Sequence, residues 1–286
     1  MNIAELEKQY PMALASVSMN FDDFSNLTFY QKNHIKLMEV VPLVEDNKSW
    51  NPKDPASTEA FFNLCRKFQV QPHSMHSYFL SELSHNMSDF DAEKRKYAIK
   101  VNQDLFQSAK TIGAKYIVVH LYSDRTKRSE IENMNIARDT LKQLIPYAEK
   151  TGVGIAVENL GALWSIPHIN SLLDEFNHPL VGICFDTGHS VLYNKLEEEL
   201  PLCKDRLFAL HIHDNFNEKD DHIIPFRGKI DWKGFIVALL KTNYQGPLMF
   251  ESYEREEGES IEHFIGKCRE AYLKLLELLL ESIPAK

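Results

Sequence analysis

The sequence predicts an α/β fold in which residues 1–286 form a single (β/α)8 TIM barrel. Three observations carry that expectation. Short apolar runs rich in β-branched and aromatic residues alternate with longer stretches of helical spacing along the whole chain. Eight such strand–helix units in 286 residues amount to about 36 residues each, the size of one unit of such a barrel. No linker, repeat tract or compositional shift divides the chain. A doubly wound open sheet has the same alternation, but no G-x-G-x-x-G or Walker-type glycine loop is present to favour it.

Taken in order, the strand-like runs are Met12–Ser18, Ile35–Val41, Gln71–His76, Tyr116–His120, Gly154–Glu158, Gly182–Asp186, Phe208–His213 and Leu248–Glu251. Helical spacing is clearest over Ala92–Ile112, Glu130–Lys150, Ile166–Phe176, Trp232–Thr242 and Ile261–Leu280. Gly113, Gly152 and Gly246 stand where helices are expected to stop before the next strand.

Composition narrows the function classes. A chain that is 44% hydrophobic and 26% charged, with 11 Gly and 12 Pro, is neither disordered, collagen-like nor of low complexity. Its longest apolar stretches, such as Tyr272–Leu280, fall far short of the ~20 residues that cross a bilayer. The start of the chain, MNIAELEKQYPMALAS, is acidic where a secretory signal would be basic, so a cytoplasmic location is expected. Cys65, Cys184, Cys203 and Cys268 form no CxxC pair and read as free buried thiols of a reducing compartment. The net charge of −9 argues against a dedicated nucleic-acid binder, because phosphate contacts need clustered positive charge. The apolar run Tyr272–Leu280 can serve a homo-oligomer interface as readily as barrel packing.

In an α/β barrel the active site lies at the carboxyl ends of the strands. Here those ends turn from apolar to carboxylate or imidazole one after another. Strand three ends in His76, strand four in His120, strand five in Glu158, and strand six in Asp186 with His189 just after it. Strand seven carries His211, His213 and Asp214, strand eight ends in Glu251, and the loop after strand seven adds Asp220 and His222. Crowded carboxylates repel one another and resist ionisation. Bound divalent cations resolve that conflict, and neutral His with Asp or Glu suits Zn2+, Mn2+ or Fe2+. A tight turn at Thr187–Gly188 would fold His189 back beside Asp186, and alternation puts His211 and His213 on one strand face. Glu39, ending strand two, reads equally as a pocket residue or a surface-loop carboxylate. His213 and Asp214 are expected to orient ligands rather than to touch a metal.

The ordered set ENL, FDTGH, HIHDN, D-x-H–x5–G–x–IDW and a final strand-eight Glu resembles the xylose-isomerase-like TIM-barrel superfamily, which includes sugar isomerases and epimerases and the apurinic-site endonucleases. The isomerase branch implies one divalent metal, Zn or Mn foremost, on Glu158, Asp186, His211 and Glu251. The nuclease branch implies three zinc ions, with His76, His120, His189, Asp220 and His222 added. The resemblance therefore implies a metal-dependent isomerase or epimerase of a small carbohydrate, in which Glu158 and Glu251 exchange a proton with the substrate. An apurinic-site endonuclease-like phosphodiesterase is the alternative. His189 would hold a substrate hydroxyl, and Trp164, just after ENLG, reads as a packing residue or as a platform on which the sugar stacks.

Two departures from the family pattern stand out. The loop that usually reads P-G-x-G is Pro225-Phe226-Arg227-Gly228, which replaces a permissive glycine and places Phe226 to fill part of the pocket. Ketose 3-epimerases carry an Arg shortly after the strand-seven His, whereas Asn215–Asp221 has none, leaving Arg227 as the candidate substitute for substrate binding. DNA-gripping groups are sparse. The loop Ser77–Met87 has Tyr78 and Phe79 but no Lys or Arg, and Ser123–Arg128 offers only Arg125, Lys127 and Arg128. A carbohydrate is favoured over nucleic acid on that ground.

Overall fold

A computed structural model describes residues 1–19, 24–42, 50–78, 86–89, 91–122, 128–193 and 195–283. The strands are β1 (Met12–Ala15), β2 (Leu37–Val40), β3 (Gln71–His76), β4 (Tyr116–Val119), β5 (Gly154–Glu158), β6 (Val181–Asp186), β7 (Leu207–His211) and β8 (Leu248–Phe250). They pair in parallel in the order β7-β6-β5-β4-β3-β2-β1-β8. The seam between β7 and β8 is joined just past the strand ends, where Ile212 N–H donates to Met249 O at 2.8 Å and Glu251 N–H donates to Ile212 O at 3.1 Å. The predicted single (β/α)8 barrel is what forms.

Around the barrel run α1 (Ile3–Gln9), α2 (Leu27–Lys32), α3 (Pro55–Phe68), α4 (Ala92–Ile112), α5 (Glu130–Thr151), α6 (Ile166–Phe176), α7 (Thr187–Tyr193), α8 (Leu196–Glu199), α9 (Trp232–Leu239) and α10 (Ile261–Ser282). Several of their starts are set by side-chain caps that take up otherwise unmet backbone N–H groups. Asp91 accepts from Glu93 and Lys94 at the head of α4, and Ser129 forms a capping box with Glu132 at the head of α5. Gly113 and Gly152 end α4 and α5 at φ 80° and 76°, conformations that glycine adopts without a Cβ penalty. Gly246 differs from its expected role. It follows α9 by several residues, and a Cβ there would stand 2.5 Å from the Tyr244 ring, so its function is close packing.

Several strands are shorter than the apolar runs suggest. β1 gives way to a 3-10 turn at Ser16–Ser18, and β4, β7 and β8 stop before His120, Ile212 and Glu251. Inside the barrel, Val118, Ala156, Cys184 and Ala209 form a small apolar layer flanked by Tyr116 and Phe208. Gly182 makes room for the latter, since a Cβ would approach the Phe208 ring at 2.5 Å. On α10, Tyr272, Leu275, Leu276 and Leu279 are buried in the main core. Barrel packing therefore occupies the apolar face for which an oligomer interface was an equal reading. Among the described residues, no helix is long and apolar enough to cross a membrane.

One buried charge outside the rim gives stability a pH dependence. Glu199, at the end of α8, accepts from Ser190 Oγ at 3.4 Å under α7. Burial lifts its carboxyl from 4.5 to about 7 against the weaker pull of Ser190 and the Ile166 N–H. The folded chain therefore keeps a proton that the unfolded chain has released, and stability falls as pH rises through that window. Replacing the side chain by Glu199→Gln removes the slope. Its stability relative to wild type should grow between about pH 5 and about pH 8 by on the order of 1–3 kcal/mol, read by thermal melts. Parallel curves for the two proteins would contradict the assignment.

Candidate metal centre

Because the strands are parallel, all their carboxyl ends open on one rim, and a closed eight-stranded barrel leaves that rim only side-chain width across. His76, Glu158, Asp186 and His211 are the last residues of β3, β5, β6 and β7, and His120 and Glu251 directly follow β4 and β8. The structure brings every nominated ligand residue into one contiguous cluster. Glu158 is its hub. One oxygen, Oε2, lies 3.0 Å from His120 Nε2, 3.6 Å from His76 Nε2 and 3.4 Å from His211 Nδ1, while Oε1 lies 3.1 Å from His189 Nδ1. His211 Nδ1 is also 3.2 Å from Glu251 Oε2 and 3.9 Å from Asp186 Oδ2. A third group closes on Asp220, whose Oδ2 is 3.2 Å from His189 Nε2 and 2.8 Å from His222 Nε2.

Local backbone chemistry aims these side chains. Asp186 Oδ1 accepts the His189 N–H at 2.6 Å, so the first turn of α7 carries His189 back beside the aspartate. A helical start thus does what the expected tight turn was to do. Asn159 locks the ends of β5 and β6 together, accepting from Asp186 N at 2.8 Å and donating to Asp186 O at 3.0 Å. Gly188 is obligatory, because a Cβ would stand 1.9 Å from the His213 ring. His222 takes φ 48°, a left-handed conformation rare outside glycine, although His is enriched among the exceptions. Its ring is sandwiched between His213 at 3.9 Å and Tyr253 at 4.3 Å, and Nδ1–H donates to Glu251 O at 3.0 Å. His76 likewise donates Nδ1–H to Ser77 O at 2.7 Å, and His189 donates Nδ1–H to Asn159 O at 2.9 Å. Each leaves Nε2 facing carboxylates, the arrangement usual for a ligating histidine.

The charges are reconciled by protons. Burial disfavours every charged form here, yet His120 and His211 hold Glu158 well below the usual carboxylate range, and His211 with His222 brings Glu251 to about 2. Conversely, burial opposes a charge on His222, but the Asp220 hydrogen bond and the Glu251 carboxylate raise it to about 9. The donors present fit a divalent cation, which would take the place of those protons. One atom says so directly. His211 Nδ1 is buried and makes no hydrogen bond, although three carboxylates lie within 3.9 Å of it. The groupings close enough to hold an ion include His76–His120–Glu158, His189–Asp220–His222 and His213–His222–Glu251.

Several sequence expectations need correction. Trp164 is fully buried, its ring within 3° of parallel to that of Tyr122, and it has no free face for a sugar. Arg227 pairs on the surface with Glu256, in the loop after β8, at 2.8 Å. Phe226 does not fill the pocket. Its ring packs on Trp232 with Lys274 above it, while its backbone adopts φ 70°, the conformation a glycine would take freely. Asp214 orients no ligand. Its carboxylate accepts from the backbone N–H of Asn215, Gly228 and Ile230 and from Trp232 Nε1, pinning the loop after β7.

Two residues gain importance. Glu39 is fully buried and bonded to His211, not a surface carboxylate. His213 Nε2 lies 3.0 Å from Asp186 Oδ2, the contact expected of a residue that orients a ligand, and it also falls in a group close enough to hold an ion, His213–His222–Glu251. The apolar context of Glu39 in LMEV and the repeated His in HIH were the available signals. In the loop after β4, Arg128 is buried and donates to Ser88 O at 2.7 Å, whereas Arg125, Lys127 and Phe79 lie outside the described residues. Beside the cluster a cavity of about 460 Å3 is lined by Leu160, Leu192 and Tyr193 and by Asn217, Glu218, Lys219 and Asp220.

Comparison with known proteins agrees with this geometry. A family model described as a xylose isomerase-like TIM barrel matches residues 34–269. The uncharacterized protein y4fM of Sinorhizobium fredii is 31% identical over 237 residues, 71% of this chain and 76% of that protein. The inosose isomerase of Bacillus subtilis is 25% identical over 53% of this chain and 59% of its own length. A protein of Carboxydothermus hydrogenoformans named "Probable endonuclease 4" is 23% identical over 84% of this chain and 89% of that one. In fold, the chain is similar to a D-tagatose 3-epimerase-like protein, with TM-score 0.79 at 18% identity over 96% of this chain and 99% of that one. It is similar also to the IOLI protein with a bound zinc atom, with TM-score 0.78 at 18% identity and the same coverage. The chain belongs to the xylose isomerase-like TIM-barrel family.

Proposed function

We propose that this protein is a divalent-metal-dependent isomerase or epimerase acting on a sugar-like substrate that bears adjacent carbonyl and hydroxyl groups. The observation that carries the reading is the meeting of Glu158, from β5, and Glu251, beyond β8, at one unbonded nitrogen of His211. Sugar isomerases among the relatives support an enzyme of this kind. Glu158, Asp186, His211 and Glu251 would hold the ion, zinc or manganese, which supplies Lewis acidity toward the two substrate oxygens. Glu158 and Glu251 reach the substrate from strands three places apart around the barrel. One removes the proton α to the carbonyl and the other returns one to the neighbouring carbon or to the opposite face, as base and acid. Both are held ionised in the metal-free chain, the form a base needs. His189, which lines the adjoining cavity, would hold a substrate hydroxyl through Nε2 in exchange for its contact with Asp220. The free, buried state of the four cysteines supports the reducing cytoplasmic setting expected for such chemistry.

A specific observation favours a second reading. The groups His76–His120–Glu158 and His189–Asp220–His222 flank the central four residues and extend the cluster to the donor set of a three-metal phosphodiesterase. The relative named as an endonuclease spans most of the chain. The net charge of −9 and the inward commitment of Arg128 weigh toward a small carbohydrate.

Removal of metal by a chelator should abolish turnover of the sugar substrate, and zinc or manganese should restore it. Activity that persists in demonstrably metal-free protein would end the reading. Glu158→Gln and Glu251→Gln should each lower kcat by about 10²–10⁴-fold and suppress exchange of the substrate α-proton with deuterated solvent. Full activity in either variant would remove that residue from the proton path. His76→Asn together with His120→Asn should leave sugar turnover within about tenfold of wild type, since neither residue belongs to the central four. If an abasic-site duplex is cleaved, and that double replacement destroys the cleavage, the second reading holds instead.

A further inference from the structure

Behind the metal-facing side of His211 runs a chain of hydrogen bonds that the proposed chemistry does not use. Ser74, on β3, donates its hydroxyl to Glu39 Oε2 at 2.7 Å, and Glu39 Oε1 accepts the Nε2–H of His211 at 2.9 Å. All three side chains are buried, Glu39 and His211 completely. β2 and β7 are not neighbours in the sheet, because β1 and β8 stand between them. Glu39 therefore reaches across the barrel interior to meet the imidazole. Burying a further carboxylate among Glu158, Asp186 and Glu251 is costly unless its hydrogen bonds are made and its charge has work to do.

We propose that Ser74 and Glu39 form a positioning relay that sets the strength with which His211 holds its ion. The inference rests on the metal-dependent reading above and concerns residues that reading leaves out. Glu39 accepts the hydrogen bond from Nε2–H and so fixes the tautomer, leaving the lone pair on Nδ1 among Glu158, Asp186 and Glu251. Its negative charge, delivered through the hydrogen bond, makes the imidazole a better donor to a cation, and the bond prevents the ring from turning. Ser74 occupies the other oxygen of Glu39 and keeps that carboxylate from joining the ligands itself. That restraint matters, because Glu39, His211 and Glu251 are close enough together to share an ion directly.

The test uses the full chain, stripped of metal and titrated with zinc against a chromophoric chelator, for wild type, Glu39→Gln, Glu39→Leu and Ser74→Ala. Folding of each is checked by circular dichroism, and the near-isosteric Gln variant guards against collapse of the Leu variant. The same number of zinc ions should bind at saturation in all four. Affinity at the central position should fall by about 10- to 100-fold in the Glu39 variants, more for Leu than for Gln, and by less in Ser74→Ala. With cobalt(II) as the probe, the visible ligand-field bands should shift in Glu39→Leu, a change that a merely structural role would not produce. Wild-type affinity and unshifted bands in both Glu39 variants would overturn the relay while leaving the metal reading intact. Loss of one ion from the stoichiometry would overturn it in favour of Glu39 as a ligand. A wild-type protein that takes up no zinc or cobalt would overturn both.

Discussion

Mutual repulsion among buried carboxylates at one rim is the constraint around which this molecule is arranged. Glu39, Glu158, Asp186 and Glu251 are buried within a barrel mouth whose width is set by eight strands and cannot relax outward. Two like charges about 4 Å apart cost on the order of 4 kcal/mol at the effective dielectric of a protein surface site, and more deeper in. The chain answers with imidazoles interleaved between the carboxylates, so that His76, His120, His189, His211, His213 and His222 each lie within 4 Å of at least one of them or of Asp220. Against the cost of burial, the carboxylates around them raise the proton affinity of His76, His189, His211 and His222, which offsets part of the repulsion. Such an arrangement stores binding energy for a cation, because anything that binds the folded state alone also stabilises it.

The precision of the cluster comes from the backbone as much as from the ligands. Asn159 ties β5 to β6, Asp186 caps the turn that carries His189, and Asp214 gathers donors from residues 215 to 232 onto one carboxylate. His222 and Phe226 both hold left-handed backbone in the loop that Asp214 pins. A non-glycine residue in that conformation costs about 1–2 kcal/mol, so the loop is held in place by its anchors and not by its own preference. At His222 the strain delivers an imidazole to Asp220. At Phe226 it delivers only a ring to Trp232, which is why the lost glycine changes packing and leaves the mouth open.

Much of this was legible in the sequence, for a physical reason. Strand ends are where period-two apolar runs stop, and a run such as YIVVH or IAVEN announces both its strand and its polar terminus. The barrel then converts sequence order into spatial convergence, which is why ligands drawn from β3 to β8 meet. The loops resisted prediction because their side chains face several ways at once. Arg227 is as close in sequence to the rim as Gly228, yet it pairs with Glu256 on the surface, and Trp164 turns inward against Tyr122. Nothing in residue type distinguishes those outcomes. Glu39 resisted for the opposite reason. A single carboxylate in LMEV is compatible with a solvated strand end, and only the position of His211 across the barrel gives it a partner.

The choice between carbohydrate and polynucleotide therefore rests above the His and carboxylate cluster. Strand ends fix the donor set, and the same donors serve proton transfer beside a carbonyl or attack on a phosphodiester, so the cluster alone does not select a substrate. The walls over it can. The lining of the cavity next to His189 divides by chemistry into Leu160, Leu192 and Tyr193 and, from the loop after β7, Asn217, Glu218, Lys219 and Asp220. Such a divided wall matches the two sides of a sugar, whose C–H face packs on apolar and aromatic groups while its hydroxyls bond to amides and carboxylates. A polyanion gains affinity by shedding counterions onto basic groups. The one lysine on this wall, Lys219, lies between Glu218 and Asp220 and pairs with Asp221 at 3.2 Å, so the described wall offers a phosphate chain little unpaired positive charge.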